Sequence, residues 1–396
     1  MRKILFYSEN FCGEHIQGGL EVATFRIAKG LKESGHWEVF NAFRSKSDGK
    51  EKSVYKDVIK LKKRDSLFLK QLTGFIVDNE IDVVVNMSRF FRHELICKAV
   101  KNSGRDVKII FMQHFAPGSE FKKPTFRSGF HLLKLNPFNP IYWLRASLYP
   151  LLKLPRQLKL PGIYRSTYNS SDKIVLLSEQ YSHDYSTTGN FTDNSKFIGI
   201  PNIYDETRLL QSESSDGKEK RVLILSRMDE IQKRISVALK IWAKIEKDPD
   251  FHDWHLDIVG SGHNTDIVKR LIKKLQLKNV TYHGWQKREP FLQKASILMS
   301  TSEYEGLPLA ILEAQVWGVV PIAFDSYASL RDVIVPFENG VVIDEFGDID
   351  TYTKRLMELM YDEDYRKELS RNGRKSISRF SQEKIIDKWL EMLNSL

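Results

Sequence analysis

Residues 295–318 read ASILMSTSEYEGLPLAILEAQVWG. The first seven have the length and bulk of a buried strand, and "LAILEAQVWG" has the length of a helix punctuated by Gly318. Pro308 fits the first helical turn, where its missing N–H costs nothing. Glu305 and Glu313, eight positions apart, therefore fall on different local structures, one in the loop and one inside the helix. They are not a side-by-side acid pair. The helix is apolar nearly all round and belongs between a sheet and a neighbour, where an unpaired ionised glutamate costs on the order of several kcal/mol. Glu313 must therefore have partners, either backbone donors or the hydroxyls of a ligand, such as a ribose diol. N–H groups around Gly306, Leu307 and Leu309 offer an anion site at the helix start.

The same strand–helix rhythm runs outward in both directions. Towards the N-terminus, "KILFYS", "WEVFNAF", "IDVVVNM", "VKIIFMQH" and "KIVLLSE" are strand candidates, and "GGLEVATFRIAKGLKESG" is a helix between the first two. That alternation predicts a doubly wound parallel sheet closing near residue 204. After the polar stretch "ETRLLQSESSDGKEK" the rhythm restarts with "RVLILSR", "WHLDIVG", "VTYHG", "VVPIAF" and "GVVID". Two α/β domains are expected, residues 1–204 and 205–378. An amphipathic tail helix over 379–396 packs through Ile385, Ile386, Trp389, Leu390 and Leu393.

Composition supports this and removes other classes. At 396 residues, with 41% apolar and 28% charged, the chain matches an ordinary two-domain globular protein. Two cysteines, no secretory leader in "MRKILFYSEN" and no apolar run long enough to span a bilayer predict a cytoplasmic setting. The net charge of +10 is uneven: residues 1–200 hold 32 Lys and Arg against 19 Asp and Glu, leaving 29 against 32 beyond. Residues 121–171 carry nine basic and nine aromatic side chains and no acid. Pro137, Pro140, Pro150, Pro155 and Pro161 are expected to break that segment into short pieces. Two readings stand open for it: peripheral contact with an anionic membrane, or a first-domain insertion that packs its aromatics inward. No nucleic-acid motif accompanies it.

Several positions are candidates for an anion or sugar site. Gly18 and Gly19 precede a helix and would let backbone N–H groups approach a phosphate, although glycine also serves a tight turn. Gly260 and Gly262 follow a strand, but Thr265 stands where a dinucleotide fingerprint wants its third glycine. There is no P-loop motif, and the acids Asp362 to Asp364 read as a solvated helix start, so no metal site is expected. Arg227 and Lys233 follow a strand directly and precede a helix, where a diphosphate finds its countercharge. His114 ends the strand "VKIIFMQ", a position equally suited to a packed histidine and to one that meets a ligand.

Together, "GGLEVATFRIAKGLKESGH", "SRMDEIQKR", "DIVGSGHN", "SEYEGLPLAILEAQVWG" and the closing "FSQEKIIDKWLEML" resemble the retaining nucleotide-sugar glycosyltransferases of family 4, the glycosyl transferases group 1. The resemblance implies the GT-B fold, two doubly wound Rossmann-like domains facing a central cleft with a C-terminal helix crossing back to the first domain. It implies a UDP- or GDP-type sugar donor, no divalent metal or other cofactor, and a lipid-linked or growing saccharide as acceptor. It further implies that Glu313 binds the donor ribose and Glu305 the transferred sugar, and that the backbone from Gly306 through Leu307 and Pro308 to Leu309 holds the sugar or its phosphate. Arg227 and Lys233 would neutralise the diphosphate and Gly19 would approach it. Gly284 and Trp285 would receive the base, and His114 would lie near the reacting carbon. Members usually have a glycine near Ala328 and a glutamate near Asp332, so the loop after Phe324 departs from the pattern and leaves the sugar open. An epimerase of the same fold and a non-catalytic sugar-nucleotide-binding partner remain as alternatives.

Overall fold

The computed structural model describes residues 1–13, 19–45, 54–122, 125–204 and 217–396. Gly18, Lys123 and most of the polar stretch after residue 204 lie outside the described residues. In chain order the first half forms β1 (Arg2–Tyr7), α1 (Gly19–Glu33), β2 (Trp37–Phe43), β3 (Asp57–Lys60), α2 (Asp65–Asp78), β4 (Val83–Asn86), α3 (His93–Ser103) and β5 (Lys108–Gln113). Next come α4 (Phe126–Leu135), α5 (Pro140–Ser147), α6 (Tyr149–Asn169), β6 (Lys173–Leu176), α7 (Tyr181–Gly189) and β7 (Phe197–Gly199). The second half holds β8 (Arg221–Leu225), α8 (Glu230–Lys233), α9 (Ile235–Ile245), β9 (His255–Val259), α10 (Thr265–Lys274), β10 (Val280–Gly284) and α11 (Glu289–Lys294). It continues with β11 (Ile297–Ser300), α12 (Leu309–Val316), β12 (Val320–Phe324), α13 (Leu330–Val333), β13 (Val341–Ile343), α14 (Ile349–Tyr361), α15 (Glu363–Ser376) and α16 (Gln382–Asn394).

These elements form two Rossmann-like α/β units. The first sheet has the order β3-β2-β1-β4-β5-β6-β7 and the second β10-β9-β8-β11-β12-β13, with parallel pairing throughout both. Strands covered on both faces need apolar residues at every position, not at alternate ones. Ile4 to Tyr7, Val83 to Val85 and Val320 to Phe324 are accordingly buried without interruption.

Compact unit 1 comprises Met1–Pro117, Leu158–Tyr204 and Arg379–Leu396; unit 2 comprises Gly118–Gln157 and Asp205–Ser378. The tail helix α16 thus belongs with unit 1. It buries Ile385, Ile386, Trp389, Met392 and Leu393 against α1, with the Trp389 ring 6.3 Å from that of Phe6. Arg2 Nη1 donates to Leu393 O at 2.8 Å.

The basic aromatic segment departs from the expected division. Residues 118–157 belong to unit 2, because Leu132 and Tyr142 enter the apolar core of that unit. Helix α4 crosses α5 at Gly129, where a Cβ would meet Arg145 O at 2.3 Å, so only glycine permits this backbone approach. Nor do the prolines break the segment as expected. Pro140 occupies the first turn of α5, while α6 runs through Pro155 and Pro161. Each interior proline removes one backbone N–H donor, and the residue whose carbonyl loses its partner at Pro155, Leu151, is exposed.

Candidate functional site

In the second sheet the chain starts at β8, steps outward through β9 to β10, and returns to place β11 on the other side of β8. The connections leaving β8 and β11 therefore diverge, and a crevice opens beyond their adjacent carboxyl ends. A cavity of about 210 Å³ lies there. Leu225 and Ser226 line it from β8, Ser300 to Ser302 from β11, and Lys233, Glu305, Leu307, Pro308 and Leu309 close it.

The loop after β8 explains how the cations reach this place. Asp229 caps α8 by accepting from Gln232 N at 3.3 Å, and this single turn delivers Lys233 to the cavity wall. Lys233 Nζ pairs with Glu305 Oε1, an oxygen that also accepts from Ser302 Oγ at 2.7 Å. Gln232 Nε2 donates to Glu305 Oε2 at 3.0 Å, while Gln232 Oε1 accepts from Arg227 Nη2 at 2.9 Å. Gln232 therefore joins Arg227 to the loop glutamate that Lys233 meets directly. Sequence reasoning passed over it, since a glutamine between two cations carries no pattern of its own. The two cations differ in setting: the Arg227 side chain is 56% exposed and that of Lys233 only 16%.

Two glycines press the next loop against this one. Gly260 has φ +133°, and a Cβ there would come within 1.8 Å of Ser226 O; at Gly262 it would come within 2.4 Å of Met228 O. Gly260→Ala is therefore expected to push the Ser226–Met228 backbone out of place and to cost about 1–3 kcal/mol for the strained φ alone. Urea denaturation checks this, and an unchanged midpoint would refute it.

Glu313 lies within α12, buried at 8% exposure, and Oε1 accepts from Arg288 Nη1. Its protein partner is thus a guanidinium just before α11, in the same connection as Gly284 and the exposed Trp285. Pro308 caps α12 from outside and Leu309 is the first helical residue, with the Leu309 N–H already donating to Leu307 O at 2.9 Å. Asp362 caps α15 by accepting from Tyr365 N at 2.9 Å, and Glu363 pairs with Lys367 at 2.8 Å, the arrangement of a solvated helix start.

The other candidates belong to unit 1. Gly19 is the first residue of α1. His114 follows β5, and its Nε2 is buried with no hydrogen-bond partner among the described residues. Burial removes water from the imidazolium and lowers the pKa to about 4, so the ring is neutral near pH 7.

Known proteins share this fold and parts of this sequence. The glycosyl transferases group 1 model matches residues 205–376. The chain is 27% identical over 231 residues to the amylovoran biosynthesis glycosyltransferase AmsD of Erwinia amylovora, a match covering 57% of this chain and 63% of that protein. It is 26% identical over 181 residues to a Campylobacter jejuni N-acetyl-D-galactosaminyltransferase named for a GalNAc-containing, undecaprenol-diphosphate-linked saccharide, covering 46% of this chain and 50% of that one. The chain thus spans between half and two thirds of the length of these curated relatives. Among solved structures, Anabaena HepE in complex with UDP matches with a TM-score of 0.72 at 16% identity over 100% of both chains, a likeness of fold. The chain thus has the two-unit fold of the GT-B glycosyltransferases, and its residues 205–376 match the glycosyl transferases group 1 model.

Proposed function

We propose that this chain is a retaining hexosyltransferase of family 4, moving a sugar from a UDP or GDP sugar to a lipid-linked or growing saccharide in cell-surface polysaccharide synthesis. The observation that carries the reading is the cavity at the β8/β11 switch point, with Lys233 on its wall and Arg227 tied to the same glutamate through Gln232. A departing nucleoside diphosphate develops negative charge, and two fixed cations stabilise it with little reorganisation and no metal. Glu305 holds the Lys233 ammonium; with a donor bound, phosphate oxygens share that ammonium and Glu305 turns to the sugar. Glu313 takes the ribose hydroxyls, and the connection through Gly284 and Trp285 takes the base. The backbone from Gly306 to Leu309 assists at the phosphate.

In the step proposed, the bond from the anomeric carbon to the phosphate oxygen breaks and the acceptor oxygen bonds to the same face. The acceptor's proton passes to the leaving phosphate. An acceptor on a lipid anchor places the enzyme at the cytoplasmic membrane face as a peripheral protein.

Thermal melts with UDP and GDP sugars, with and without EDTA, test the donor class. A stabilising shift with one of them is expected, since a ligand bound only to the folded state raises its stability. No shift with any of them would sink the reading. Glu313→Gln is expected to weaken donor binding about tenfold, or 1.4 kcal/mol, in a titration of the same nucleotide sugar. Unchanged affinity with a large drop in melting temperature would mean that the carboxylate serves the fold and not the donor.

A further inference from the structure

Helices α4 and α5 and the start of α6 form an excursion of unit 2 with two unlike faces. The inner face sends Leu132 and Tyr142 into the core of unit 2 and is tied down by polar bonds. The Tyr142 hydroxyl donates to Asp266 Oδ1 at 2.7 Å, and Asn136 Nδ2 donates to Oδ2 of the same carboxylate at 2.7 Å. Burial pushes the Asp266 carboxyl up, but the hydrogen bonds from Tyr142, Asn139 and Asn136 outweigh it and keep the group ionised. Tyr142 also accepts from Asn264 Nδ2 at 2.8 Å, and Asn264 Oδ1 accepts from the N–H of Glu230, the first residue of α8. His131 Nε2 lies 3.1 Å from the buried Glu230 Oε1. The excursion is therefore anchored to the turn that ends in Lys233.

The outer face is apolar and open. Ile141, Trp143, Leu144, Leu151 and Leu152 are each between 52% and 64% exposed. Leu148 N donates to Leu144 O and Leu152 N to Leu148 O, so the backbone turns helically across the α5–α6 junction. Positions 141, 144, 148, 151 and 152 thereby make one stripe at three- and four-residue spacing. A folded protein in water rarely leaves such a stripe uncovered. The excursion's own charge has one sign: residues 121–171 contain no acid, and Arg127 and Lys134 are exposed on α4. Among the described residues no helix is long and apolar enough to cross a membrane. An apolar stripe with basic flanks suits a helix lying in the plane of a bilayer interface.

We infer that this face docks unit 2, the unit holding the cavity, on an anionic lipid bilayer. The inference rests on the proposed function for its purpose, a lipid-linked acceptor, whereas docking itself requires neither donor nor acceptor. The inward packing expected as an alternative accounts for Leu132 and Tyr142 and leaves the stripe without cover.

Sedimentation of the full chain with vesicles tests it, using phosphatidylcholine alone and phosphatidylcholine mixed with phosphatidylglycerol. Binding to the anionic vesicles at least about tenfold tighter is expected, weakening as salt screens the basic residues. The double variant L151E/L152E changes only exposed side chains, so it should melt as the wild type does, keep its nucleotide-sugar shift, and stay in the supernatant. Failure of the wild type to sediment with anionic vesicles, or equal binding by the double variant, would overturn the inference. So would a dimer in light scattering that the variant abolishes without loss of vesicle binding, since a second copy would then be the occupant. Vesicle binding by a chain whose melting no nucleotide sugar shifts would support docking while the proposed enzyme fails.

Discussion

Replacing Lys233 with alanine is expected to lower sugar transfer by about 100-fold or more, the loss typical when one preorganised group that stabilises developing charge is removed. The side chain lies on the cavity wall and is mostly shielded from water, so its charge is weakly screened. The variant should remain folded, since Glu305 keeps Ser302 Oγ and Gln232 Nε2 as donors. Arg227→Ala is expected to fall in the same direction by less, because the exposed guanidinium works through more solvent. Initial rates at saturating donor, on protein whose melting curve matches the wild type, decide the matter. Turnover at the wild-type level in folded Lys233→Ala would remove lysine from the chemistry.

The second large effect is acid lability of unit 1. His93 is buried between Asn86 Nδ2 at 3.3 Å and Ser171 Oγ at 3.1 Å, and burial lowers its pKa to about 4, as for His114. Unfolded histidine titrates near pH 6.5. Between these values the unfolded chain binds protons that the native state refuses, so stability is full above pH 6.5 and falls as the pH drops towards 4. For His93 the loss reaches about 2.5 kcal/mol at pH 4.5, from 1.36 kcal/mol per pH unit, and His114 adds a loss of similar sign. Together these are a large part of an ordinary folding stability of about 5–15 kcal/mol. Urea midpoints measured at pH 7 and pH 4.5 should differ sharply, and His93→Gln should narrow the difference. Equal sensitivity to acid in that variant would show that other groups govern it.

Much of the fold was legible because parallel strands leave continuous apolar runs, as in "VVPIAF", and the helices between them carry a regular buried stripe. Separating Glu305 from Glu313 also needed only Pro308 and the helix it precedes. What sequence could not show were the contacts made across long stretches of chain. Arg288 meets Glu313 across 25 residues and Gln232 meets Glu305 across 73, and neither residue belongs to a local pattern. The ownership of 118–157 was hidden for the same reason: Tyr142 and Asp266 are 124 positions apart, and composition cannot reveal which core a helix joins. The prolines of α6 misled because one lost backbone donor does not end a helix when the remaining bonds hold on either side.

The return of α16 to the first unit bears on how the chain folds as it is made. Arg2 and Leu393 meet across 391 residues, and Trp389 packs on Phe6. Unit 1 can therefore assemble its sheet once Tyr204 has emerged, but the part of α1 around Gly30 and the Phe6 ring that α16 covers stay open until everything up to Trp389 has been added. At about 5–20 residues per second that interval is on the order of 10 to 40 seconds. Throughout it, the remainder of unit 2 is being synthesised while unit 1 still lacks its last helix. Closure of α16 then converts a chaperone-accessible surface into core.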